Sequence, residues 1–255
     1  MALTQQSLFL YGYTVTTANR YIDFKISGGG STLTATLPVG YYSLTLLMSS
    51  IATALGSIDT TNTYTVTANR AIGGNLQNRI TISTSGAYLS LLFSSGTNAA
   101  YSCASLIGFN ASDYTGATTY TGSTTTGTAF QPSLIGYNFQ DTSQLVKVNG
   151  KVNMSSSGNR ETVIYSTQYF SQFQFKYISL TEATNSWSPL LSWISQGRLI
   201  EFTPNYGTPS TFYEGWIERT SYDGNGLGFQ LKEMLPEFPF YYDTGLLVLR
   251  TRPTS

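Results

Sequence analysis

The sequence contains no histidine, one cysteine and few charged residues, and each shortage excludes a class of function. Histidine titrates near neutral pH and is the commonest metal ligand, so its absence excludes hydrolases that rely on an imidazole base. Zinc and iron–sulfur sites need several cysteine or histidine ligands, which this chain lacks. Cys103 stands among alanines and aliphatic residues, which is typical of a small buried side chain. We therefore expect no catalytic residue, no cofactor and no metal, and a protein that is not an enzyme.

Charge is equally scarce, because only 10% of the 255 residues are charged and the 13 basic side chains balance the 13 acidic ones. Soluble domains carry about 25% charged residues. A net charge of zero lacks the basic excess of a nucleic-acid binder, so no nucleic acid is expected as a partner. No apolar run approaches 18 residues and the N-terminus does not resemble a signal peptide, so we expect no membrane insertion. A net charge near zero favours association between copies.

The composition changes near residue 131, which predicts two domains, 1–130 and 131–255. The first segment has four basic and three acidic residues, no glutamate and one proline, whereas the second holds every glutamate, all three tryptophans and seven prolines. Between them, residues 114–128 form a tract rich in threonine and glycine. Its composition suits a linker and its alternating tyrosine and threonine suit an exposed β arm, and both interpretations stay open.

The fold predicted for both halves is mainly β, with two sandwich-like or barrel-like domains that each contain a short packed helix. In the first half, apolar residues at helical spacing predict a helix over residues 43–56, with Ser43 as its N-cap and Gly56 as its C-cap. A second, shorter helix is predicted over residues 99–107.

Two local patterns mark the second half. The segment 146–152 alternates apolar and polar residues around Asn149-Gly150, which predicts a two-residue hairpin turn at that dipeptide. The segment 186–197 has a capping serine, an early proline and a terminal Gly197, which predicts a short helix over residues 187–196. This helix would lay Trp187, Leu190, Leu191 and Ile194 on a sheet.

Acidic and aromatic residues in the second half raise two alternative functions. Glu214 and Glu218 would share one face of a strand, and a glycosidase needs two carboxylates across a sugar-binding cleft. Interspersed basic residues make a solvent-exposed face of a sheet the better interpretation. The 19 tyrosines and 14 phenylalanines suit a platform that binds a host surface glycan, although most of them stand at core positions of strands.

One aromatic run differs from the rest because prolines interrupt it. Residues 236–242 contain Pro236 and Pro239, and proline does not pair within a central strand, so an extended arm that packs on a neighbouring subunit is predicted. We take six aromatic residues as candidate interface positions: Phe238, Phe240, Tyr241, Tyr242, Tyr114 and Tyr120.

Two longer patterns point to a family. Over about residues 35–110 the chain joins Pro38-Val39-Gly40-Tyr41-Tyr42-Ser43, the predicted helix, Arg79-Ile80-Thr81-Ile82-Ser83-Thr84-Ser85-Gly86 and Leu106-Ile107-Gly108-Phe109. Over about residues 160–250 it has Trp187-x-x-Leu190-Leu191-x-Trp193-Ile194-x-x-Gly197-Arg198-x-Ile200-Glu201-Phe202-Thr203-Pro204 and Phe229-Gln230-Leu231-Lys232-Glu233-Met234. The first pattern resembles a small module of viral structural proteins. The second is similar to β-rich tail and tail-tip proteins of tailed bacteriophages.

This resemblance implies a virion subunit of a ring or fibre base, and it brings no catalytic residues with it. The expected function is homo-oligomeric assembly in a phage tail, distal tail or baseplate, with other virion proteins as partners. The expected location is the virion, after synthesis in the host cytoplasm. A capsid-decorating, fibre or glycan-binding receptor module is the alternative, and a two-carboxylate glycan hydrolase is a further one.

Overall fold

A computed structural model describes residues 7–70, 78–132, 138–140, 146–154, 160–204, 212–218, 231–234 and 238–251. The protein is mainly β, with 45% strand and 19% helix, which confirms the predicted fold class. The chain divides into two compact units, Phe9–Phe130 and a second that joins Met1–Leu8 to Gln131–Ser255. The composition places Met1–Leu8 in the first domain, whereas this division assigns it to the second unit.

The first unit contains small antiparallel sheets. The strands pair in the orders β4-β3-β8-β9 and β10-β7-β6, and β2 pairs with β5 and β1 with β11. The strands are β1 (Leu8–Tyr11), β2 (Tyr13–Val15), β3 (Tyr21–Lys25), β4 (Leu33–Thr36), β5 (Gly40–Tyr42), β6 (Tyr64–Asn69), β7 (Arg79–Thr84), β8 (Leu89–Leu92), β9 (Asp113–Ala117), β10 (Thr119–Thr121) and β11 (Thr128–Phe130).

Helix α1 (Leu44–Ile58) closes the core of this unit, as its apolar spacing predicts. Its buried residues are Leu44, Leu47, Ile51, Ala54 and Leu55. The Ser43 hydroxyl caps the helix by accepting a hydrogen bond from the Leu46 amide at 3.0 Å. The predicted end at Gly56 is wrong, because the helix continues to Ile58 and the Asp59 amide still donates to the Leu55 carbonyl.

The threonine- and glycine-rich tract is ordered as strands of this unit. Within it, β9 pairs with β8, β10 pairs with β7, and β11 pairs with β1. The tract therefore pairs with three different strands, β8, β7 and β1, and the linker interpretation is wrong.

The short helix predicted over residues 99–107 is also wrong. Only Ala99–Tyr101 forms a 3₁₀ turn. The Cys103 amide donates to the Tyr21 carbonyl at 3.0 Å, so the backbone is drawn onto strand β3 and does not continue as a helix.

In the second unit, strands pair in the order β16-β17-β20-β14-β12, with β13 also paired to β14, and a separate sheet has the order β15-β19-β18. Its strands are β12 (Asn138–Gln140), β13 (Val146–Met154), β14 (Arg160–Gln174), β15 (Ile178–Ser179), β16 (Ile200–Thr203), β17 (Tyr213–Glu218), β18 (Lys232–Met234), β19 (Phe238–Asp243) and β20 (Leu247–Thr251).

Three helical segments follow one another after β15: α2 (Leu180–Glu182), a π-helical turn (Ala183–Trp187) and α3 (Ser188–Ser195). The helical run begins earlier than the predicted residue 187, because Ser179 accepts a hydrogen bond from the Glu182 amide and caps it there. It ends before Gly197, which has φ +68°. Trp187, Leu190, Leu191 and Ile194 are buried, as predicted.

The predicted Asn149-Gly150 hairpin turn is wrong. Residues 146–149 and 150–154 belong to one strand, β13, and both parts pair with β14. The register skips one residue of β14 between Ser166 and Ile164, which makes the dipeptide part of a β-bulge. Nine cross-strand pairs outweigh the local preference of an Asn-Gly turn, and glycine inside a strand commonly marks such a bulge.

Candidate interaction surface

Four of the six candidate interface residues lie on strand β19. Phe238 and Tyr242 both pair with β18, and Tyr241 and Tyr242 also pair with β15. The strand therefore lies between two others, which corrects the prediction that this proline-containing run forms no central strand. Pro236 lies outside the described residues.

A bulge explains how β19 tolerates Pro239 at the centre of a sheet. The partner of Glu233 is Tyr242, and the partner of the next residue, Met234, is Phe238, so Pro239 and Phe240 have no cross-strand partner among the described residues. Proline has no amide hydrogen to pair and is confined to such positions in sheets. Phe240 has φ +67°, and its amide donates to the Glu233 carboxylate at 2.9 Å.

The bulge presents three aromatic side chains to solvent. The exposed fraction is 41% for Phe238, 67% for Phe240 and 44% for Tyr241, whereas Tyr242 is half-buried. The Tyr177 ring contacts the Phe238 ring edge-on, with centroids 5.2 Å apart. We call Phe238, Phe240 and Tyr241 the aromatic surface.

Hydrogen bonds hold the end of β19 to the larger sheet of the same unit. The buried Asp243 carboxylate accepts both a bond of 3.0 Å from the Gln174 amide group and one of 2.6 Å from the Gly245 amide. Thr244 and Phe175 exchange a further pair of bonds at 3.0 Å. The aromatic surface therefore rests on a fixed base, which lowers the entropy lost when a partner binds.

A layer of aromatic side chains supports this base from inside. Phe175 is fully buried and lies with its ring centroid 5.0 Å from that of Trp187. Phe173 stacks on Phe202 at 4.5 Å. Phe173, Phe175 and Phe202 form core and not surface, as their alternating spacing predicts, and Trp187 joins them from the π-helical turn.

The other two candidate residues, Tyr114 and Tyr120, lie in the first unit and point into an aromatic cluster. The Tyr114 ring contacts Phe109 at 5.1 Å and Tyr120 at 5.7 Å. The Tyr120 hydroxyl accepts from the Ala117 amide and donates to the Leu89 carbonyl. Both side chains are half-buried and hold the tract to its own unit, which is a different unit from the one that contains β19.

The two glutamates of the hydrolase alternative do not form a close pair. Glu214 and Glu218 stand four residues apart on β17, which separates their backbones by about 13 Å at roughly 3.3 Å per residue. Glycosidase carboxylates lie about 5–9.5 Å apart. Glu218 also forms an ion pair of 2.9 Å with Arg250, and both side chains are about 40% exposed. Glu214 instead lies opposite Glu201 of β16.

Among the described residues, no group of three or more acidic or cysteine side chains has the arrangement of a metal site. None of the helices in the described ranges is both long and apolar enough to cross a membrane.

Comparison of the sequence with known proteins finds no relative that indicates a role for the aromatic surface. No protein-family model matches the chain, and no curated protein matches its sequence.

Proposed function

We propose that this protein is a structural subunit of a phage virion, in the tail or tail tip, that acts by assembling with further copies of itself and with neighbouring virion proteins. The observation that carries the proposal is the aromatic surface on β19. Three large apolar side chains are exposed there on a strand whose end is fixed by buried hydrogen bonds.

Aromatic side chains on a rigid base are typical of protein interfaces. They bury a large area at a small cost in side-chain entropy, and they dominate binding energies where water is excluded. The Phe240 amide donates to the Glu233 carboxylate while its backbone is left-handed, so the backbone that carries the most exposed of the three rings is held in place before a partner arrives.

The virion part of the proposal rests on the resemblance over residues 35–110 and 160–250 and on the low share of charged residues. A surface with few charges resists association poorly. Such a composition suits a subunit whose surface is covered by its neighbours.

A glycan-binding receptor module is the second candidate, and the same exposed rings support it. The flat faces of Phe240 and Tyr241 suit contact with the apolar face of a sugar ring. Saturable binding of the free subunit on a glycan array, lost in the variant described next, would favour this function over assembly.

Native mass spectrometry of the full chain across a dilution series tests the assembly function. We expect a fixed stoichiometry that dissociates on dilution. Phe240→Asn removes the ring and keeps a residue type that tolerates positive φ. Burial of a phenylalanine side chain contributes about 1.5–3 kcal/mol, so losing the two thirds that is exposed weakens association roughly 5–30-fold.

The matched control is Tyr101→Asn, which removes a 54% exposed aromatic side chain from the first unit. This variant is expected to associate as the unmodified protein does. A monomer at every concentration of the unmodified protein would refute the assembly function.

A further inference from the structure

We propose that two copies of this chain also pair through strand β6 (Tyr64–Asn69) of the first unit, which joins a three-stranded sheet of each copy into one sheet. The two β6 strands run antiparallel in this pair, with a two-fold axis at Val66. The inference rests on the proposed assembly with further copies. It adds a second contact, in a different unit from the aromatic surface.

Strand β6 is an edge strand with none of the features that usually protect an edge. Its sheet has the order β10-β7-β6, so one side of β6 pairs with β7 and the other side pairs with no strand among the described residues. Short length, charges, prolines and bulges discourage an edge from pairing with another chain. Strand β6 has six residues, no charge, no proline and an unbroken register with β7.

The other edge strands of the two larger sheets in this unit differ from β6. Strands β4 and β10 are shorter, with four and three residues. Strand β9 carries Asp113, pairs with β8 through a bulge and contains Gly116 with φ +87°. Within the described part of these sheets, β6 is therefore the longest edge and the one without protection.

Hydrogen bonding at the start of β6 shows which of its backbone groups point outward. The Ser85 amide donates to the Thr63 carbonyl at 2.9 Å, and these two residues lie opposite each other in the register that β6 continues. Opposite residues of an antiparallel pair alternate between bonded and unbonded pairs. The residues bonded to β7 are therefore Thr65, Thr67 and Asn69. The residues whose N–H and C=O groups point to the open edge are Tyr64, Val66 and Ala68.

The outward groups form a set that fits itself. In the ranges that the structure describes, none of these backbone groups takes part in a hydrogen bond. With the axis at Val66, this residue lies opposite Val66 of the second copy, and Tyr64 lies opposite Ala68. Each opposed pair exchanges two hydrogen bonds, so every outward group gains a partner. A two-fold contact requires such a self-complementary surface, which favours a second copy as the partner.

The side chains of β6 fit the same register. On one face, the large Tyr64 meets the small Ala68 of the second copy, and Val66 meets Val66. Val66 and Ala68 are half-buried within one copy, so pairing removes more of their apolar surface from water. On the other face, the exposed Thr65 lies opposite Thr67 of the second copy, and threonine pairs stabilise cross-strand contacts.

Charges introduced on the exposed face of β6 test this pairing. The Lys variant is Thr65→Lys with Thr67→Lys, and the Glu variant is Thr65→Glu with Thr67→Glu. Because Thr65 of one copy opposes Thr67 of the other, two copies of the same variant bring like charges together. One copy of each variant brings opposite charges together, which stabilises a cross-strand pair.

The matched control is Thr119→Lys with Thr121→Lys on β10, the other edge strand of this sheet. Both control residues are exposed, and they lie opposite the same two residues of β7 as Thr65 and Thr67 do. The control therefore adds the same charges to the same face at the other edge. Circular dichroism and urea unfolding verify that each variant folds.

All variants are made with Phe240→Asn, which weakens the contact at the aromatic surface and isolates the β6 contact. Native mass spectrometry across a dilution series is expected to show a dimer for Phe240→Asn alone and for the control. The Lys and Glu variants are each expected to dimerise about tenfold more weakly, because like charges directly opposite each other destabilise a strand pair. Their equal mixture is expected to form a heterodimer with a dissociation constant within about threefold of the Phe240→Asn dimer.

Single cysteine variants test the register itself. Thr65→Cys and Thr67→Cys are made separately and then mixed under oxidising conditions. Opposed residues of an unbonded pair have Cα atoms about 4.5 Å apart, which a disulfide spans, whereas diagonal neighbours are about 7–8 Å apart. The mixture is expected to form a cross-linked dimer at least about tenfold faster than either variant alone. The native Cys103 is fully buried and does not compete.

The β6 contact and the assembly function fail in different ways. A Lys variant that dimerises as tightly as the control, a mixture that recovers no dimer, or equal cross-linking in a single variant and the mixture would overturn the β6 contact. So would a monomeric Phe240→Asn chain beside an unmodified chain that associates, because the aromatic surface would then carry all of the association. An unmodified chain that is monomeric at every concentration would refute the assembly function as well.

Discussion

Replacing Gly127 by alanine tests whether the threonine- and glycine-rich tract is a structural part of the first unit. A Cβ at this position would lie under 3.0 Å from the ring of Tyr13, closer than real side chains approach. Tyr13 is fully buried, and its hydroxyl is hydrogen-bonded to the Thr125 hydroxyl at 2.9 Å. The ring is held at both ends and has little room to move away.

Two opposing effects set the change that Gly127→Ala makes in the free energy of unfolding. Overpacking of a filled core costs about 1–3 kcal/mol. Gly→Ala also restricts the unfolded chain, which stabilises the folded state by about 0.4–1 kcal/mol. The net expectation is a loss of about 1–2 kcal/mol in the free energy of unfolding. With a urea dependence of about 1–3 kcal/mol per molar, the unfolding midpoint falls by about 0.3–2 M.

Gly56→Ala is the matched control, because no atom lies within 4 Å of a Cβ at this position of α1. Alanine favours a helix over glycine, so this variant is expected to gain about 0.5–1 kcal/mol. In a Tyr13→Leu background, which removes the ring, Gly127→Ala is expected to cost nothing. Urea unfolding followed by circular dichroism measures all four variants. An unchanged midpoint for Gly127→Ala alone, or an equal loss in both backgrounds, would refute the packing argument.

Two further predictions concern titratable groups. Partial burial alone would raise the pKa of Asp113, but hydrogen bonds from Ser95 and Ser94 outweigh it and lower the pKa to about 2. The pKa in the unfolded chain is about 3.9, so this carboxylate stabilises the fold above pH 4 and the contribution disappears as the pH falls toward 2. The urea midpoint of Asp113→Asn should fall less between pH 5 and pH 2.5 than that of the unmodified protein, and an equal fall would contradict the prediction. Burial raises the pKa of the Cys103 thiol to about 12, so a thiol reagent at pH 8 should label it only after urea unfolding, and rapid labelling of the folded protein would show an accessible thiolate.

The two main helical regions illustrate what apolar periodicity predicts. It identifies the buried face of α1 and the buried side chains from Trp187 to Ile194 without reference to the rest of the chain. It predicts the helix ends less well. Ser179, and not a later serine, caps the second helical run, and Asp59 follows the last turn of α1. Both boundaries depend on hydrogen bonds that a periodic pattern does not contain.

The Asn149-Gly150 dipeptide and Pro239 illustrate how partners change a local preference. An Asn-Gly pair favours a turn when nothing else competes, but pairing with the long strand β14 makes it a bulge. Proline disfavours a central strand, yet a bulge removes Pro239 from the pairing and lets β19 lie between β15 and β18. A long partner strand adds many hydrogen bonds at once, so it outweighs two residues of turn preference.

Composition and periodicity alone indicate the mainly β class, the apolar faces of the helices, the lack of imidazole chemistry and the proline-interrupted aromatic run at 238–242. Composition and periodicity are local properties, so they are readable without a fold. Only the tertiary structure decided that Phe238, Phe240 and Tyr241 are exposed while Tyr114 and Tyr120 are held within their own unit. Whether an aromatic side chain is exposed or buried depends on which distant parts of the chain strand pairing brings next to it.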